Sequence, residues 1–177
     1  MSVLHQDDFY KDEATLFREN VFYDAELQYH NWELPECFDG QRFRQELQRS
    51  TKESLASCEG DSTSTSSSTH DFVVLEGILI FEDPELTSSM RKRYFVDLPY
   101  AECRDRRAKR TYLPPEPAGY FDKYYWPSYV ELKTKVEEKV ARGELEITYL
   151  DSEKESIDEL VVKMVEEVTD ILGRAEA

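Results

Sequence analysis

Short apolar runs alternate with amphipathic stretches along this chain. The densest apolar run covers residues 71–81 (DFVVLEGILIF) and is interrupted only by Glu76 and Gly77. A continuous run of this kind is typical of a strand that is buried on both faces of a parallel sheet. Shorter runs predict further strands over residues 2–5, 93–98 and 145–150.

Helical spacing of apolar residues separates these strands. It predicts a helix over 35–49 that begins at Pro35, a second from Pro99, a third over 127–141, and a last one whose apolar face runs from Ile157 to Leu172. Ser156 and Glu159 form a capping box before the last helix, and Gly173 is expected to end it. Strands that alternate with helices predict an α/β fold with a parallel sheet.

The chain is long enough for one domain, so residues 1–177 are expected to form a single unit. Eight of the ten residues from Asp61 to His70 are Ser or Thr, and such a segment buries too little apolar area to order itself. We therefore expect a disordered surface loop over 50–70. Residues 12–31 mix charges and aromatics without periodicity and are expected to form a loop with a turn or two of helix.

The composition limits the partners of the chain. Its 38 acidic and 22 basic residues give a formal net charge of -16, which argues against binding to nucleic acid or to an anionic membrane. No stretch approaches the roughly 18 to 20 apolar residues that span a bilayer. Three scattered cysteines and an N-terminus without a secretory pattern favour a cytosolic protein, with the nucleus as a further location. The sequence does not indicate an oligomeric state.

A basic cluster runs against this acidic background. Residues 104–110 carry a net charge of +4, and helical spacing would bring Arg106, Arg107 and Arg110 to one face. Guanidinium groups suit phosphate oxygens. A solvated basic helix is an equally good interpretation of the cluster alone, but the adjoining segment 114–122 (PPEPAGYFD) favours an anion-binding lid over 104–126.

Carboxylates follow two of the predicted strands. Asp7 and Asp8 come directly after the first strand, and Glu76 lies in the densest apolar run. Because ligands of α/β proteins bind at the carboxyl edge of the sheet, these groups could take a proton from a hydroxyl or hold Mg²⁺. A helix cap or a turn is the alternative for the two aspartates. If the strands are neighbours, the arrangement favours metal-assisted phosphoryl transfer.

Trp32 and Glu33 offer an aromatic face and a carboxylate, which suit a sugar or a planar ring, although a loop anchor explains them equally well. The three histidines, His5, His30 and His70, share no spacing that indicates a metal site or a catalytic triad, and no role is assigned to them.

Four motifs occur in order along the chain: HQDDFYK, NWELPECFD, VVLEGILIF and RYFVDLPYAECRDRRAKRTYLPPEPAGYFDKYYWP. Together they resemble nicotinamide riboside kinases, P-loop kinases that are close to uridine kinase. The resemblance implies a P-loop kinase-like three-layer sandwich and ATP-dependent phosphorylation of the ribosyl 5′-hydroxyl of nicotinamide riboside with Mg²⁺. The product would be nicotinamide mononucleotide for NAD synthesis. The implied partners are a small-molecule nucleoside and ATP.

The resemblance also implies roles for individual residues. Asp7 would be the catalytic base and a metal ligand, and Glu76 would hold the metal directly or through water. The substrate-binding residues would be Asp8, Phe9, Tyr10, Trp32, Glu33, Arg107, Tyr112 and Leu113. The ATP-binding residues would be Arg106, Arg110, Thr111, Lys154, Glu155 and Ser156. The family commonly has Asp where this chain has Glu33, so the ribose contacts are expected to differ.

One part of the family pattern does not occur in these 177 residues. The phosphate-binding loop, G-x-x-x-x-G-K-[ST], should precede the first motif, and none of the six glycines stands in that pattern. We therefore expect an N-terminally truncated kinase domain in which the first strand, central in the sheets of such kinases, and the P-loop helix are missing. The expected consequence is impaired ATP binding. The alternatives are a non-catalytic nucleoside-binding or regulatory relative and a uridine kinase-type enzyme for pyrimidine nucleosides.

Overall fold

The computed structural model describes residues 2–59 and 72–174. The chain divides into two compact units, Met1–Ser89 and Met90–Ala177, which are described separately. Each unit contains one parallel two-stranded sheet.

The first unit consists of short elements around this sheet. In chain order they are β1 (Ser2–His5), α1 (Glu13–Arg18), β2 (Tyr23–Asp24), β3 (Tyr29–His30), α2 (Gly40–Glu59), β4 (Val73–Glu76) and α3 (Pro84–Ser89). Turns of 3-10 helix occur at Gln6–Phe9, Pro35–Cys37 and Ile80–Glu82. Strand β1 pairs in parallel with β4, and β2 forms a small hairpin with β3.

The core of the first unit is formed by residues that lie outside its strands. Leu16, Cys37 and Phe38 are buried together, and partly buried apolar side chains pack around them: Tyr10, Val21, Trp32, Leu34 and Leu79. Phe9 is buried as well, and its ring makes an edge contact with the ring of Phe43 at 5.0 Å. This core anchors the turn that follows β1.

The second unit alternates strands with helices. Its elements are β5 (Tyr94–Asp97), α4 (Tyr100–Ala108), α5 (Trp126–Ala141), β6 (Thr148–Asp151) and α6 (Ile157–Arg174), and a π-helical turn at Phe121–Tyr125 leads into α5. Strand β5 pairs in parallel with β6, which places Asp97 opposite Asp151 at the end of both strands. The buried side chains include Phe95, Tyr120, Leu132, Val136, Leu150 and Leu160.

These observations confirm the α/β class, with small parallel sheets. The strands predicted from residues 2 and 93 and the helices predicted from residues 99 and 127 are present within one or two residues. The capping box is also present, because Ser156 N donates to Glu159 Oε2 at 2.8 Å and Glu159 N donates to Ser156 Oγ at 3.3 Å. The three-layer sandwich, the single-domain organisation and the lid over 104–126 stay predictions.

The apolar run 71–81 was wrongly predicted to form one fully buried strand. Only Val73–Glu76 is extended, and its side chains are half-buried or exposed. In the part of the chain that the structure describes, β1 is the one strand paired with β4, and none of the four side chains of β4 is fully buried. After Gly77 the chain turns, and Ile80 enters the core from a 3-10 turn.

The helix predicted over 35–49 is displaced. Pro35 begins a 3-10 turn, and α2 starts at Gly40, where Asp39 Oδ1 accepts a hydrogen bond from Arg42 N at 2.9 Å. An aspartate that binds a free N–H at a helix start explains this choice of boundary. Because α2 continues to Glu59, the loop predicted over 50–70 is helical for its first ten residues. Its Ser/Thr-rich part, 61–70, lies outside the described residues.

Three smaller differences concern the other elements. Residues 12–31 contain α1 and the β2–β3 hairpin, and the strand predicted over 145–150 begins at Thr148. Gly173 does not end the last helix, since α6 includes it. In helix α6, Leu160 is buried, whereas Ile157, Val161 and Val165 are more than half exposed. The buried face of this helix is therefore narrower than its apolar residues predict.

Candidate active site

Three carboxylates lie at one edge of the first unit's sheet. Asp7 and Asp8 occupy the 3-10 turn that directly follows β1, and Glu76 is the last residue of β4. The condition that these two strands be neighbours is met, because β1 pairs in parallel with β4 and His5 lies opposite Glu76. All three side chains are exposed, so the edge offers carboxylate oxygens to a ligand from solvent.

His5 is the basic partner of this edge. Its Nδ1 lies 3.0 Å from Glu76 Oε2. The hydrogen bond to Glu76 raises the pKa of His5 above its ordinary value, and the charges of Asp8 and Asp7 act in the same direction. Sequence reasoning assigned no role to His5, and only the register of β1 against β4 reveals its contact with Glu76.

The side chain of Gln6 ties the two strand ends together. It is buried, and its Oε1 accepts a hydrogen bond from Leu79 N at 2.8 Å. A Cβ atom on Gly77 would lie 2.3 Å from Gln6 Cβ, so the close approach requires glycine. Sequence reasoning missed this contact, although a glycine that interrupts an apolar run is the signal that could have revealed it.

An aromatic group lies next to the carboxylate edge. The ring of Tyr10 lies 4.0 Å from that of Phe38 and makes an edge contact with Trp32 at 5.6 Å. The structure therefore brings together two of the residues predicted to bind substrate. Phe9, a third, packs into the core against Phe43.

Glu33 is only 6% exposed, which is unusual for a carboxylate. Its backbone N–H donates to Asn31 Oδ1 at 3.2 Å, and this bond fixes the turn that carries it. Its neighbour Trp32 makes an edge contact with the buried ring of His30 at 5.9 Å. Trp32 and Glu33 thus belong to a packed turn.

The basic cluster does not form the continuous helical face that its spacing predicted. Helix α4 ends at Ala108, so Arg110 lies beyond it and does not share a helical face with Arg106. Arg106 instead binds Glu102, with Nε 2.6 Å from Oε1, and its Nη2 lies 3.4 Å from Ser152 O. Thr111 follows in the irregular segment, and Leu113 there is 97% exposed.

Arg107 lies in a cluster with three tyrosines and a glutamate. Its Nε donates to Glu116 Oε2 at 2.7 Å, and its guanidinium lies over the rings of Tyr125, Tyr112 and Tyr120 at 3.8, 4.9 and 5.8 Å. The predicted pair Arg107 and Tyr112 is therefore brought together. The hydroxyl of Tyr112 is buried without a hydrogen-bond partner among the described residues.

Three residues that the resemblance assigns to ATP binding, Lys154, Glu155 and Ser156, take part in local contacts. Lys154 binds the carboxylate of Asp151, and Glu155 Oε1 lies 3.6 Å from Lys163 Nζ. Ser156 Oγ lies 2.7 Å from Glu159 Oε2 in the capping box. These contacts hold the turn between β6 and α6.

A cavity in the second unit was not predicted. It has a volume of about 430 Å³, and Asp97, Asp151, Trp126, Tyr129 and Lys133 are among its lining residues. Lys133 Nζ lies 2.5 Å from Asp97 Oδ2, and Tyr129 donates to Oδ1 of the same carboxylate. Burial alone would raise the pKa of Asp97, but these two hydrogen bonds outweigh it and hold the pKa below its ordinary value.

Two kinds of feature do not occur among the described residues. No group of three or more His, Cys, Asp or Glu side chains there is arranged to hold a metal ion. Among the described helices, none has the length and apolar character needed to cross a membrane.

Curated proteins with similar sequences are kinases by name. Nicotinamide riboside kinase 2 from Homo sapiens is 31% identical over 172 residues, which are 96% of this chain and 70% of that protein. Nicotinamide riboside kinase 1 from Mus musculus is 32% identical over 168 residues, with 94% and 80% covered. Nicotinamide riboside kinase from Eremothecium gossypii is 24% identical over 208 residues, with 98% and 82% covered. No protein-family profile matches the chain.

Parallel strands that end in carboxylates are compatible with the kinase class to which these relatives belong. The identity extends over most of both chains. The chain belongs to the nicotinamide riboside kinase family.

Proposed function

We propose that this chain acts on nicotinamide riboside and transfers the γ-phosphoryl group of ATP to its ribosyl 5′-hydroxyl. The names of the relatives support the substrate. The observation that carries the chemistry is the edge at which Asp7 and Glu76 follow neighbouring parallel strands.

Asp7 is the proposed general base. Its carboxylate is exposed to solvent, while the turn that carries it is anchored by the buried side chains of Gln6 and Phe9. A carboxylate held on a rigid turn can accept the hydroxyl proton as the phosphoryl group is transferred.

Mg²⁺ is the proposed metal, with Asp7 and Glu76 as its protein ligands. Exposed carboxylate oxygens fit this ion, which commonly uses one or two carboxylates together with water and substrate phosphates. When bound, Mg²⁺ would neutralise charge on the phosphates of ATP. In this structure, His5 Nδ1 binds Glu76 Oε2.

The remaining roles are proposed by similarity to the family. The substrate-binding residues implied by that similarity are Asp8, Phe9, Tyr10, Trp32, Glu33, Arg107, Tyr112 and Leu113. ATP would be bound by Arg106, Arg110, Thr111, Lys154, Glu155 and Ser156.

A coupled assay of ADP release with nicotinamide riboside, ATP and Mg²⁺ tests this proposal. Asp7→Asn keeps the size of the side chain but removes the base, and we expect its turnover to fall by roughly 10²- to 10⁴-fold. Glu131→Gln is a matched control, since Glu131 is exposed on α5 and makes a surface ion pair with Lys135. Measurable turnover of the unaltered chain with an equal rate in Asp7→Asn would refute the assignment of the base.

A second candidate function, for these 177 residues by themselves, is nucleoside binding without phosphotransfer. None of the six glycines of this sequence stands in a G-x-x-x-x-G-K-[ST] loop, whose backbone N–H groups cradle the phosphates of ATP. Calorimetry with nicotinamide riboside and with ATP distinguishes the two functions. Binding of the nucleoside without binding of ATP would support the second function.

Competition by uridine for the nucleoside site would indicate a specificity for pyrimidine nucleosides.

A further inference from the structure

Arg107 and Glu116 form the least exposed ion pair of α4 and the segment that follows it, within the described residues. Two guanidinium nitrogens approach the same oxygen, with Nε at 2.7 Å and Nη2 at 2.6 Å from Glu116 Oε2. The two side chains are only 15% and 17% exposed. By contrast, the Arg106–Glu102 pair is 45% exposed on each side.

Aromatic faces surround this pair. The guanidinium carbon lies 3.8 Å from the ring centroid of Tyr125, 4.9 Å from that of Tyr112 and 5.8 Å from that of Tyr120. Tyrosine faces attract delocalised cations through their negative electrostatic potential. The cluster of Arg107, Glu116, Tyr112, Tyr120 and Tyr125 is therefore built around a planar cation, and Glu116 supplies a compensating negative charge within it.

The charge balance of this cluster depends on Glu116. Where solvent is largely excluded, charges interact more strongly than in water. Removal of one member of such a pair leaves the other uncompensated. Without the carboxylate, the ring of Tyr112 would lie beside a guanidinium that has lost the negative charge of Glu116.

This matters for the proposed substrate, whose ring nitrogen carries a fixed positive charge because it is N-glycosylated. We propose that Glu116 determines specificity for positively charged nucleosides: it neutralises Arg107, so that a pyridinium ring can approach Tyr112 without repulsion. The inference rests on the proposed function, in which Arg107 and Tyr112 contact the nucleoside. Glu116 acts through Arg107 and is not assigned a contact with substrate.

A purely structural role for Glu116 makes a different prediction. If the carboxylate only holds the segment in place, its removal weakens every nucleoside to the same extent. If it cancels a charge, its removal weakens a cationic nucleoside selectively. A pair of ligands of equal shape and different charge distinguishes these cases.

The experiment measures dissociation constants by calorimetry for nicotinamide riboside and for benzamide C-riboside, the uncharged analogue of the same shape. For Glu116→Gln we expect the affinity for nicotinamide riboside to fall about tenfold or more, since a neighbouring like charge disfavours a cation. The affinity for benzamide C-riboside should change less than about twofold. Glu116→Asp, which keeps the charge, should preserve the preference between the two ligands.

A double variant, Arg107→Met with Glu116→Gln, removes both charges. We expect its absolute affinities to fall, while the ratio between the two ligands returns to that of the unaltered chain. This variant also tests the inference if Glu116→Gln alone does not fold, because both charges of the ion pair are removed together.

Equal losses of affinity for the two ligands in Glu116→Gln would overturn the inference and leave the proposed function intact. An unrestored ratio of the two affinities in the double variant would do the same. An unaltered chain that binds neither nucleoside would overturn both.

Discussion

Gln6 and Gly77 approach each other so closely that no side chain fits between them. A Cβ atom on Gly77 would lie 2.3 Å from Gln6 Cβ and 2.5 Å from Gln6 Oε1. The two residues are the sequence neighbours of Asp7 and Glu76. The contact between Gln6 and Gly77 therefore fixes the distance between the two strand ends that carry the proposed metal ligands.

Gly77→Ala tests this relationship. The added methyl group must displace Gln6, so we expect a loss of about 1–3 kcal/mol in the free energy of unfolding, as for other overpacked sites. Urea unfolding followed by circular dichroism measures it. Gly173→Ala is the matched control, since Gly173 lies in α6 with nothing within 4 Å of its added Cβ. Alanine there should stabilise by roughly 0.5–1 kcal/mol. Equal effects at the two glycines would contradict the steric explanation.

The capping box of α6 gives a second prediction. Ser156→Ala removes the hydroxyl to which Glu159 N donates, and we expect a loss of about 1 kcal/mol in the free energy of unfolding. Thr169→Ala is the control, because the hydroxyl of Thr169 binds Val165 O inside the same helix and is not a cap. This change should be neutral or slightly stabilising. If both variants lose the same stability, the cap has no special role.

A third prediction concerns the thiols. Cys37 is fully buried and its Sγ donates to Asn31 O at 3.2 Å, and burial raises the pKa of this thiol to about 12. Cys103 is partly exposed. Because the thiolate is the reactive form, iodoacetamide at pH 8 should label Cys103 about tenfold faster or more. Mass spectrometry of tryptic peptides measures both rates. Comparable labelling of the two thiols in the folded protein would contradict the burial of Cys37, whereas comparable labelling in urea is expected.

The sequence predicted best those features that depend on neighbouring residues in the chain. Ser156 and Glu159 are three residues apart, so their capping contact follows from local geometry alone. Asp7 and Glu76 were correctly expected on neighbouring strands, because parallel pairing brings carboxyl ends to one edge. In both cases a short-range pattern or one general rule of topology was sufficient.

Features that depend on the path of the chain were not predicted. The run 71–81 forms a four-residue strand because its extent is limited by pairing with β1, which hydrophobicity does not encode. Helical spacing placed Arg110 on α4, but the helix ends at Ala108. The partner of Arg107 is Glu116, nine residues away across an irregular segment, and no periodicity indicates such a contact.

The last prediction concerns Asp97 and Lys133 in the second unit. Lys133→Met removes an ammonium group that lies 2.5 Å from the half-buried carboxylate of Asp97. We expect a loss of about 1 kcal/mol in the free energy of unfolding at pH 7, a value reduced for the partial exposure of both groups. Lys135→Met is the control on the same helix, because its ion pair with Glu131 is more exposed and should contribute roughly 0.3–0.5 kcal/mol.

The pH dependence of this difference identifies its origin. Since the folded protein holds the pKa of Asp97 below its ordinary value, the carboxylate contributes stability above the unfolded pKa, and this contribution is lost as the pH falls through the folded pKa. The free energies of unfolding of the unaltered chain and of Lys133→Met should therefore converge as the pH falls below about 4, near the ordinary pKa of aspartate. Urea titrations at several pH values measure the convergence. A difference that stays constant into the acid range would mean that Lys133 stabilises the fold through the packing of its aliphatic chain and not through its charge.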